Sequence, residues 1–290
     1  MSCSFQFKQF CVKQDAAAMK VGTDGVVLGA WVSLRGDESS ALDIGTGTGL
    51  IALMLAQRSA SLSILGIDID PAAAEEAAAN FAASPWSDRL VVRPVSLQTF
   101  LDGQVQPGHY ESALTGSVRG DRASDSSGLQ VGDPTGGTGK PCRESPALPE
   151  SPREPFAAGT FDLIVSNPPF FKASLKAPDA QRRTARHDDT LPPTELIAAA
   201  RRLLSSEGHL AVIYPPEEAR DFVAEAEASG LYLSRLTRVI SVAGQPPKRH
   251  LMEFTRKAGM PVFDDLVLHE ISGGPRSAAY RALTADFYLD

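Results

Sequence analysis

Two periods of apolar residues alternate along much of the chain. Ser40–Ile44 is a short apolar run that enters a glycine-rich turn, and it predicts a strand. Leu50–Arg58 follows with helical spacing. Leu62–Asp68 predicts a strand ending in an acid, and Pro71–Ala83, Ala-rich with proline at its start, predicts a helix. Leu90–Val95 is a further strand. After a long interruption, Phe161–Ser166 predicts a buried strand, Pro193–Leu204 a helix, Gly208–Tyr214 a strand and Glu217–Ala228 a helix. Strand alternating with helix implies an α/β sheet with helices on both faces. The end differs: Leu231–Ser241 and His250–Arg256 are strand-like runs joined by Gly244-Gln245-Pro246-Pro247, which predicts a hairpin closing one edge of the sheet.

The interruption changes character from Gly103 to Gly159. These 57 residues hold 10 Gly and 7 Pro, with Ser, Asp and Arg filling much of the rest. So few large apolar residues cannot offset the entropy of ordering the segment, and it reads as a disordered insertion. Residues 1–102 and 160–290 then form a single domain. The tripeptide Arg119-Gly120-Asp121 lies inside the insertion and reads as a chance occurrence.

Bulk composition removes several function classes. The chain has 290 residues, with 28 Lys plus Arg against 35 Asp plus Glu, a formal charge of −7. That balance argues against a generally basic nucleic-acid coat protein and confines any nucleic-acid contact to a local patch. No apolar run approaches the roughly 20 residues of a membrane span, and the first fifteen residues lack the apolar stretch of a secretory signal. Cys3, Cys11 and Cys142 are odd in number and widely spaced, which fits neither a disulfide framework nor a metal site. Free thiols in a reducing cytoplasm are the expectation.

The first candidate chemistry lies at Asp43-Ile44-Gly45-Thr46-Gly47-Thr48-Gly49, between a predicted strand and a predicted helix. The glycines let the backbone turn sharply and approach a ligand closely. The helix N-terminus that follows offers unpaired N–H groups to an anion. Asp68 ends the next strand, where a carboxylate can accept both hydroxyls of a ribose. The spacing is G-x-G-x-G with an acid before it, not the G-x-G-x-x-G usual for nicotinamide dinucleotides. It resembles motif I of the Rossmann-like S-adenosylmethionine-dependent methyltransferases, in which the loop wraps the cofactor. That family often places an acid near the adenine after the third strand; Ser96 stands in that region here and can hydrogen-bond the ring.

The second candidate is Asn167-Pro168-Pro169-Phe170, directly after the buried strand. Two prolines remove two backbone donors and hold an extended turn. The Asn167 side-chain oxygen and the Pro168 carbonyl are then free acceptors on a rigid frame. A planar amino group can donate one hydrogen to each, which favours a more tetrahedral nitrogen whose lone pair can attack a methyl group. Phe170 can stack on the ring that bears the amine. No strong base is needed before transfer; positioning and hydrogen bonding carry the rate. The tetrapeptide resembles motif IV of the amino-methyltransferases, which act on adenine N6, cytosine N4 or glutamine Nδ.

The surrounding residues narrow the amine. Phe7-Lys8-Gln9-Phe10, Gln14-Asp15, Met19–Trp31, Ser84-Pro85-Trp86, Arg186-His187, Pro247-Lys248-Arg249 and Leu283–Tyr288 together resemble the bacterial tRNA1(Val) adenine-37 N6-methyltransferase family. The resemblance covers nearly all of residues 5–102 and 160–290, and the insertion departs from it. It implies a seven-stranded class I S-adenosylmethionine-dependent sheet. The implied activity is methyl transfer to N6 of adenosine 37 in the anticodon loop of a valine tRNA. It further implies that Lys20, Thr23 and Asp24 line the cofactor pocket. Capping and core packing before Val26–Trp31 is the plainer role for those three.

Charge is distributed accordingly. Lys172, Lys176, Arg182, Arg183 and Arg186 face only Asp179 and Asp188 just after the tetrapeptide. Arg235, Arg238, Lys248, Arg249, Arg256 and Lys257 face only Glu253 around the hairpin. Lys172, Arg183, Arg186, His187, Lys248 and Arg249 are the candidate RNA contacts, His187 being otherwise a plain surface histidine. Related readings are a ribosomal-RNA N6-adenine methyltransferase and a protein-glutamine methyltransferase. The latter usually ends its tetrapeptide in Tyr and carries a helical N-terminal domain. A non-catalytic cofactor- or RNA-binding module has no need of two acceptors aimed at an amine.

Overall fold

The computed structural model describes residues 4–17, 20–103, 161–169 and 191–289. The chain opens with two short strands, β1 (Ser4–Gln6) and β2 (Cys11–Lys13), paired antiparallel. Then come α1 (Thr23–Trp31), β3 (Ser40–Ile44), α2 (Leu50–Arg58), β4 (Ser63–Asp68), α3 (Pro71–Ala83), β5 (Leu90–Pro94) and α4 (Leu97–Leu101). The second half holds β6 (Phe161–Ser166), α5 (Pro193–Leu203), β7 (Leu204–Tyr214), α6 (Pro216–Ala228), β8 (Tyr232–Val242), β9 (Arg249–Thr255), β10 (Val262–His269) and α7 (Ala278–Thr284). The insertion expected at 103–159 lies, apart from Gly103, outside the described residues.

The main sheet runs β10-β8-β9-β7-β6-β3-β4-β5. Strands β5, β4, β3, β6 and β7 are parallel; β9 is antiparallel to both β7 and β8. Alternate residues of the central strands face two apolar layers. Ala41, Ile64, Leu163, Val165 and Ile213 pack under α1, α2, α3 and the β1–β2 hairpin. Leu42, Leu65, Ile164 and Val212 point the other way, under α5 and α6. Strands buried on both faces read as continuous apolar runs, which is why these were legible.

Local chemistry explains the helix ends. Asp70 caps α3, its side chain accepting from the Ala72 N–H at 2.9 Å, with Pro71 in the first turn. Helix α2 is apolar nearly all round, and Leu50–Ala56 are all buried. Helix α5 has the opposite design: Leu196, Ile197, Ala199, Ala200 and Leu203 are buried, and Arg201 and Arg202 occupy the last turn, where cations suit the helix dipole.

The hairpin of β8 and β9 forms, but it is not at the border. The sheet has eight strands among the described residues, because β10 adds to β8 in parallel register, Asp264 opposite Thr237 and Asp265 opposite Arg238. Val262–His269 carries two adjacent acids and no clean alternation, so its pattern did not read as a strand. No helix among the described residues is long and apolar enough to cross a membrane.

Candidate active site at the strand C-termini

Strand order reverses between β3 and β6. From β3 the chain steps outward to β4 and β5, then returns to β6 on the other side. The loops leaving the two strands therefore diverge and open a crevice, the usual ligand site of a doubly wound sheet. Register decides which residues meet there. Ile44 lies opposite Ser166 and Ile67, so Gly45, Asn167 and Asp68 leave three adjacent strands at one level. The Ser166 hydroxyl donates to the Ile44 carbonyl at 2.8 Å and ties the first two tips together.

A cavity of about 960 Å³ occupies the crevice. Its walls include Gly45, Thr46 and Gly47 of the glycine loop, Asn167 and Pro169 after β6, and Lys20, Thr23 and Asp24 before and in α1. Pro168 is buried behind them. Phe170, Lys172, Arg183, Arg186 and His187 lie outside the described residues. Gly25, Pro215, Pro216, Glu217 and Arg249 also line the cavity. Of these only Arg249 was singled out from the sequence, as an RNA contact. One available signal was the repeated Pro-Pro that ends both β6 and its neighbour β7. Gly25 has a packing reason: a Cβ there would sit 3.1 Å from Leu50 Cδ2 and 3.9 Å from Asn167 Nδ2.

The glycine loop is built for close approach. Gly45, Gly47 and Gly49 have φ of 71°, 55° and 79°, the left-handed region that side chains resist. Among the described residues, apart from chain neighbours, a Cβ on Gly45 or Gly47 would meet no atom within 4 Å, whereas one on Gly49 would strike Phe81 at 2.4 Å. The first two glycines leave room for a ligand; the third lets α2 pack on α3.

The loop is not an anion cradle. The N–H groups of Gly45 and Thr46 both donate to the Ile67 carbonyl, at 2.9 and 3.0 Å. That of Gly47 donates to Asp68 Oδ2 at 2.8 Å. Three donors that a phosphate would need are used internally. Two acids stand beside them. Asp43 is fully buried, and burial pushes its carboxyl up to about 7, with the nearby Asp68 charge adding to the effect. Its Oδ2 accepts from the Thr46 hydroxyl at 2.7 Å. Its Oδ1 is buried with no partner in hydrogen-bonding geometry among the described residues, although the Ala52 amide favours its anion. Burial also raises Asp68, against backbone hydrogen bonds from Asp70 and Gly47. A pyrophosphate would add charge of the wrong sign here. A cofactor without phosphate, carrying positive charge and a ribose, suits these groups.

The acceptor side is equally open. Asn167 Oδ1 is buried and has no hydrogen-bond partner among the described residues. A buried acceptor left open costs free energy, roughly 1–3 kcal/mol, and such groups concentrate where a ligand supplies the missing donor.

Other expected contacts are placed differently. Ser96 caps α4: its Oγ accepts from the Thr99 N–H at 3.1 Å and donates to Thr99 Oγ1 at 2.9 Å. Arg249 Nε donates to Asp24 Oδ2 at 2.7 Å, so a residue read as an RNA contact is paired with one read as lining the cofactor pocket. The basic run around the hairpin is largely neutralised. Asp264 and Asp265 of β10 pair with Arg235 and Arg238, and Glu207 pairs with Lys257. Arg256 donates to the carbonyls of Arg201 and Leu204. Lys248 stays exposed, without an ion-pair partner among the described residues.

The sheet order, the crevice and the glycine loop define a class I S-adenosylmethionine-dependent methyltransferase. Residues 41–106 match the family model of a methyltransferase domain. The fold resembles the crystal structure of a predicted O-methyltransferase from Agrobacterium tumefaciens, with a TM-score of 0.54 over 91% of this chain and 96% of that one, at 16% identity. Sequence relatives are more specific. The tRNA1(Val) (adenine(37)-N6)-methyltransferase of Porphyromonas gingivalis is 41% identical over 98% of this chain and 94% of its own length. Enzymes of the same name from Bacteroides fragilis and Flavobacterium johnsoniae are 39% and 38% identical, each over 98% of this chain and 97% and 99% of their own. The chain belongs to the tRNA1(Val) (adenine(37)-N6)-methyltransferase family.

Proposed function

We infer that this protein transfers a methyl group from S-adenosylmethionine to N6 of an adenosine in tRNA, and that the target is adenosine 37 of tRNA1(Val). The observation that carries the reading is the level register of Gly45 and Asn167, which sets a phosphate-free cofactor loop beside an open, buried acceptor. The names of the full-length relatives supply the tRNA and the position.

The cofactor, when bound, supplies an electrophilic methyl group on a positively charged sulfur. Everything else falls to the chain. Gly45 and Gly47 let the backbone approach the cofactor, and Asp68 accepts hydrogen bonds from ribose. The Asp43 carboxylate offsets positive charge. Asn167 Oδ1 and the Pro168 carbonyl accept the two hydrogens of the adenine amino group and hold its lone pair toward the methyl. Pro168 and Pro169 keep those acceptors from relaxing. The nitrogen becomes cationic only as the new bond forms, so its proton can leave to water afterwards. Positioning and electrostatic stabilisation carry the rate. Phe170 stacks on the adenine in this reading. A base in an anticodon loop can leave its stack at low cost. A tRNA substrate implies action in the cytoplasm.

For RNA, Lys172, Arg183, Arg186, His187 and Lys248 are the proposed contacts, and Arg249 acts at the cavity wall. The test is transfer of labelled methyl to tRNA1(Val) transcripts with A37 or G37, followed by nucleoside mass spectrometry. N6-methyladenosine on the A37 transcript alone is expected. Equal labelling of the G37 transcript would overturn the assignment. Asn167→Ala should lower kcat by at least ~10²-fold with cofactor affinity nearly unchanged, because the glycine loop is a separate element.

A further inference from the structure

The cavity has two walls that are far apart in sequence, the glycine loop at 45–48 and the run Lys20–Gly25. The run follows the β1–β2 hairpin, whose strands are three residues each and too short to fix it alone. We propose that Asn80, Glu76 and Gln14 are positioning residues for the cofactor, joining these walls into one rigid pocket. The proposal rests on the reading of the cavity as an S-adenosylmethionine site.

Asn80 makes the central link. It is 2% exposed, near the end of α3. Its Oδ1 accepts from the Lys13 N–H at 2.8 Å, and its Nδ2 donates to the Lys13 carbonyl at 2.9 Å. The amide thus pairs with β2 as an adjacent strand would. The same Nδ2 donates to the Thr48 carbonyl in the glycine loop at 2.9 Å. One side chain therefore fixes the distance between hairpin and loop.

One turn earlier on α3, Glu76 faces the same way, the spacing that puts i and i+4 on one helix face. It is 9% exposed. Its Oε1 accepts from the N–H groups of Asp15 and Ala16, at 2.5 and 3.0 Å, and its Oε2 accepts from that of Ala17 at 2.8 Å. Three consecutive amides converge on one carboxylate and hold the hairpin exit onto the helix. Gln14, 8% exposed, completes the path. Its Oε1 accepts from the Val21 N–H at 2.7 Å, directly before Gly22, Thr23 and Asp24 on the rim.

Three buried polar side chains, all directed at backbone, are not what simple core packing uses; apolar residues would fill the space with less desolvation. Polar groups that specify one geometry are retained where position matters. The linkage runs from Thr48 through Asn80 and Lys13 to Gln14 and Val21, and so from one cavity wall to the other.

Asn80→Asp keeps the shape but turns the donor toward Thr48 and Lys13 into an acceptor facing two carbonyls. Calorimetric titration with S-adenosylmethionine at 15 °C, below unfolding, is expected to show at least a tenfold weaker Kd. KM for the cofactor should rise in step, with kcat at saturation within threefold of wild type. A Kd within twofold of wild type, whatever the fall in Tm, would show a purely structural role. Should Asn80→Asp fail to fold, Gln14→Ala removes the bond to Val21 at the rim. A fivefold or greater rise in its Kd is expected, and an unchanged Kd overturns the proposal. Wild-type protein that bound no S-adenosylmethionine would instead sink the functional reading on which the proposal stands.

Discussion

Asp43→Asn tests the electrostatics of the site most directly. Burial raises the Asp43 carboxyl from 3.8 to about 7 in the folded chain. Between those values the native state holds a proton that the unfolded chain has released. The native state then binds more protons than the unfolded one, so stability falls as pH rises through the window and levels off above about 7. Each pH unit inside the window is worth about 1.4 kcal/mol, so between pH 5 and pH 7 Asp43 removes on the order of 2–3 kcal/mol from the cofactor-free enzyme. An Asn at this position keeps an acceptor for the Thr46 hydroxyl and carries no charge. Its stability should lack this contribution, although the neighbouring Asp68, also raised by burial, remains in both proteins. The gap between variant and wild type should therefore widen in favour of the variant by that amount from pH 5 to pH 7. For a domain of this size it corresponds to roughly 4–12 °C in Tm. Thermal unfolding of both proteins across pH 5–8, without cofactor, measures it. Parallel Tm curves would refute the claim that burial outweighs the Thr46 and Ala52 hydrogen bonds to the acid behind the glycine loop. S-adenosylmethionine, being cationic, should also recover stability for wild type above pH 7 more than for Asp43→Asn.

Three further outcomes are expected. Gly47→Ala places a methyl group at φ 55° in space facing the cavity, so it should lower folding stability by ~1–2 kcal/mol and weaken cofactor binding at least tenfold in calorimetry; unchanged affinity would mean the loop does not approach the ligand. Deleting residues 104–158 and closing the gap with a short Gly-Ser linker should leave circular dichroism, Tm and methyl transfer close to wild type, and loss of soluble protein would show that the segment packs. Lys248→Ala should raise KM for tRNA, leave that for S-adenosylmethionine unchanged, and reduce the salt slope of RNA binding by about one charge; Arg235→Ala, already paired with Asp264, should change that slope little.

Much of the frame was legible because it is local. Strands β3 and β6 and helices α2 and α3 have the bounds read from their periodicity, and other ends moved by a residue or so. The larger exception is β7, which begins at Leu204 and not near Gly208. Its first pairing, Phe161 with Leu204, is separated by a register shift from Leu163 with His209. That start depends on the neighbouring strand, and no periodicity within Leu204–Glu207 announces it. The glycine spacing, the acid that ends β4 and the Asn-Pro-Pro turn could likewise be read, since each is a short motif of adjacent residues.

The charges show where such reading stops. Six cations near one acid looked like an RNA surface. The structure neutralises Arg235 and Arg238 with acids of a strand whose pattern hid it, and Arg249 with Asp24, 225 residues away. The sequence by itself determined most of the central strands and helices, the glycine turn and the Asn-Pro-Pro turn, because hydrophobic period, proline and glycine act on the nearest few residues. Only the tertiary structure decided that Gly45 and Asn167 stand level, that the amides of Gly45, Thr46 and Gly47 are already occupied, and which cations around the hairpin are paired with acids. Those facts belong to strand register and long-range pairing, which the summed burial of both sheet faces selects and no local stretch of chain encodes.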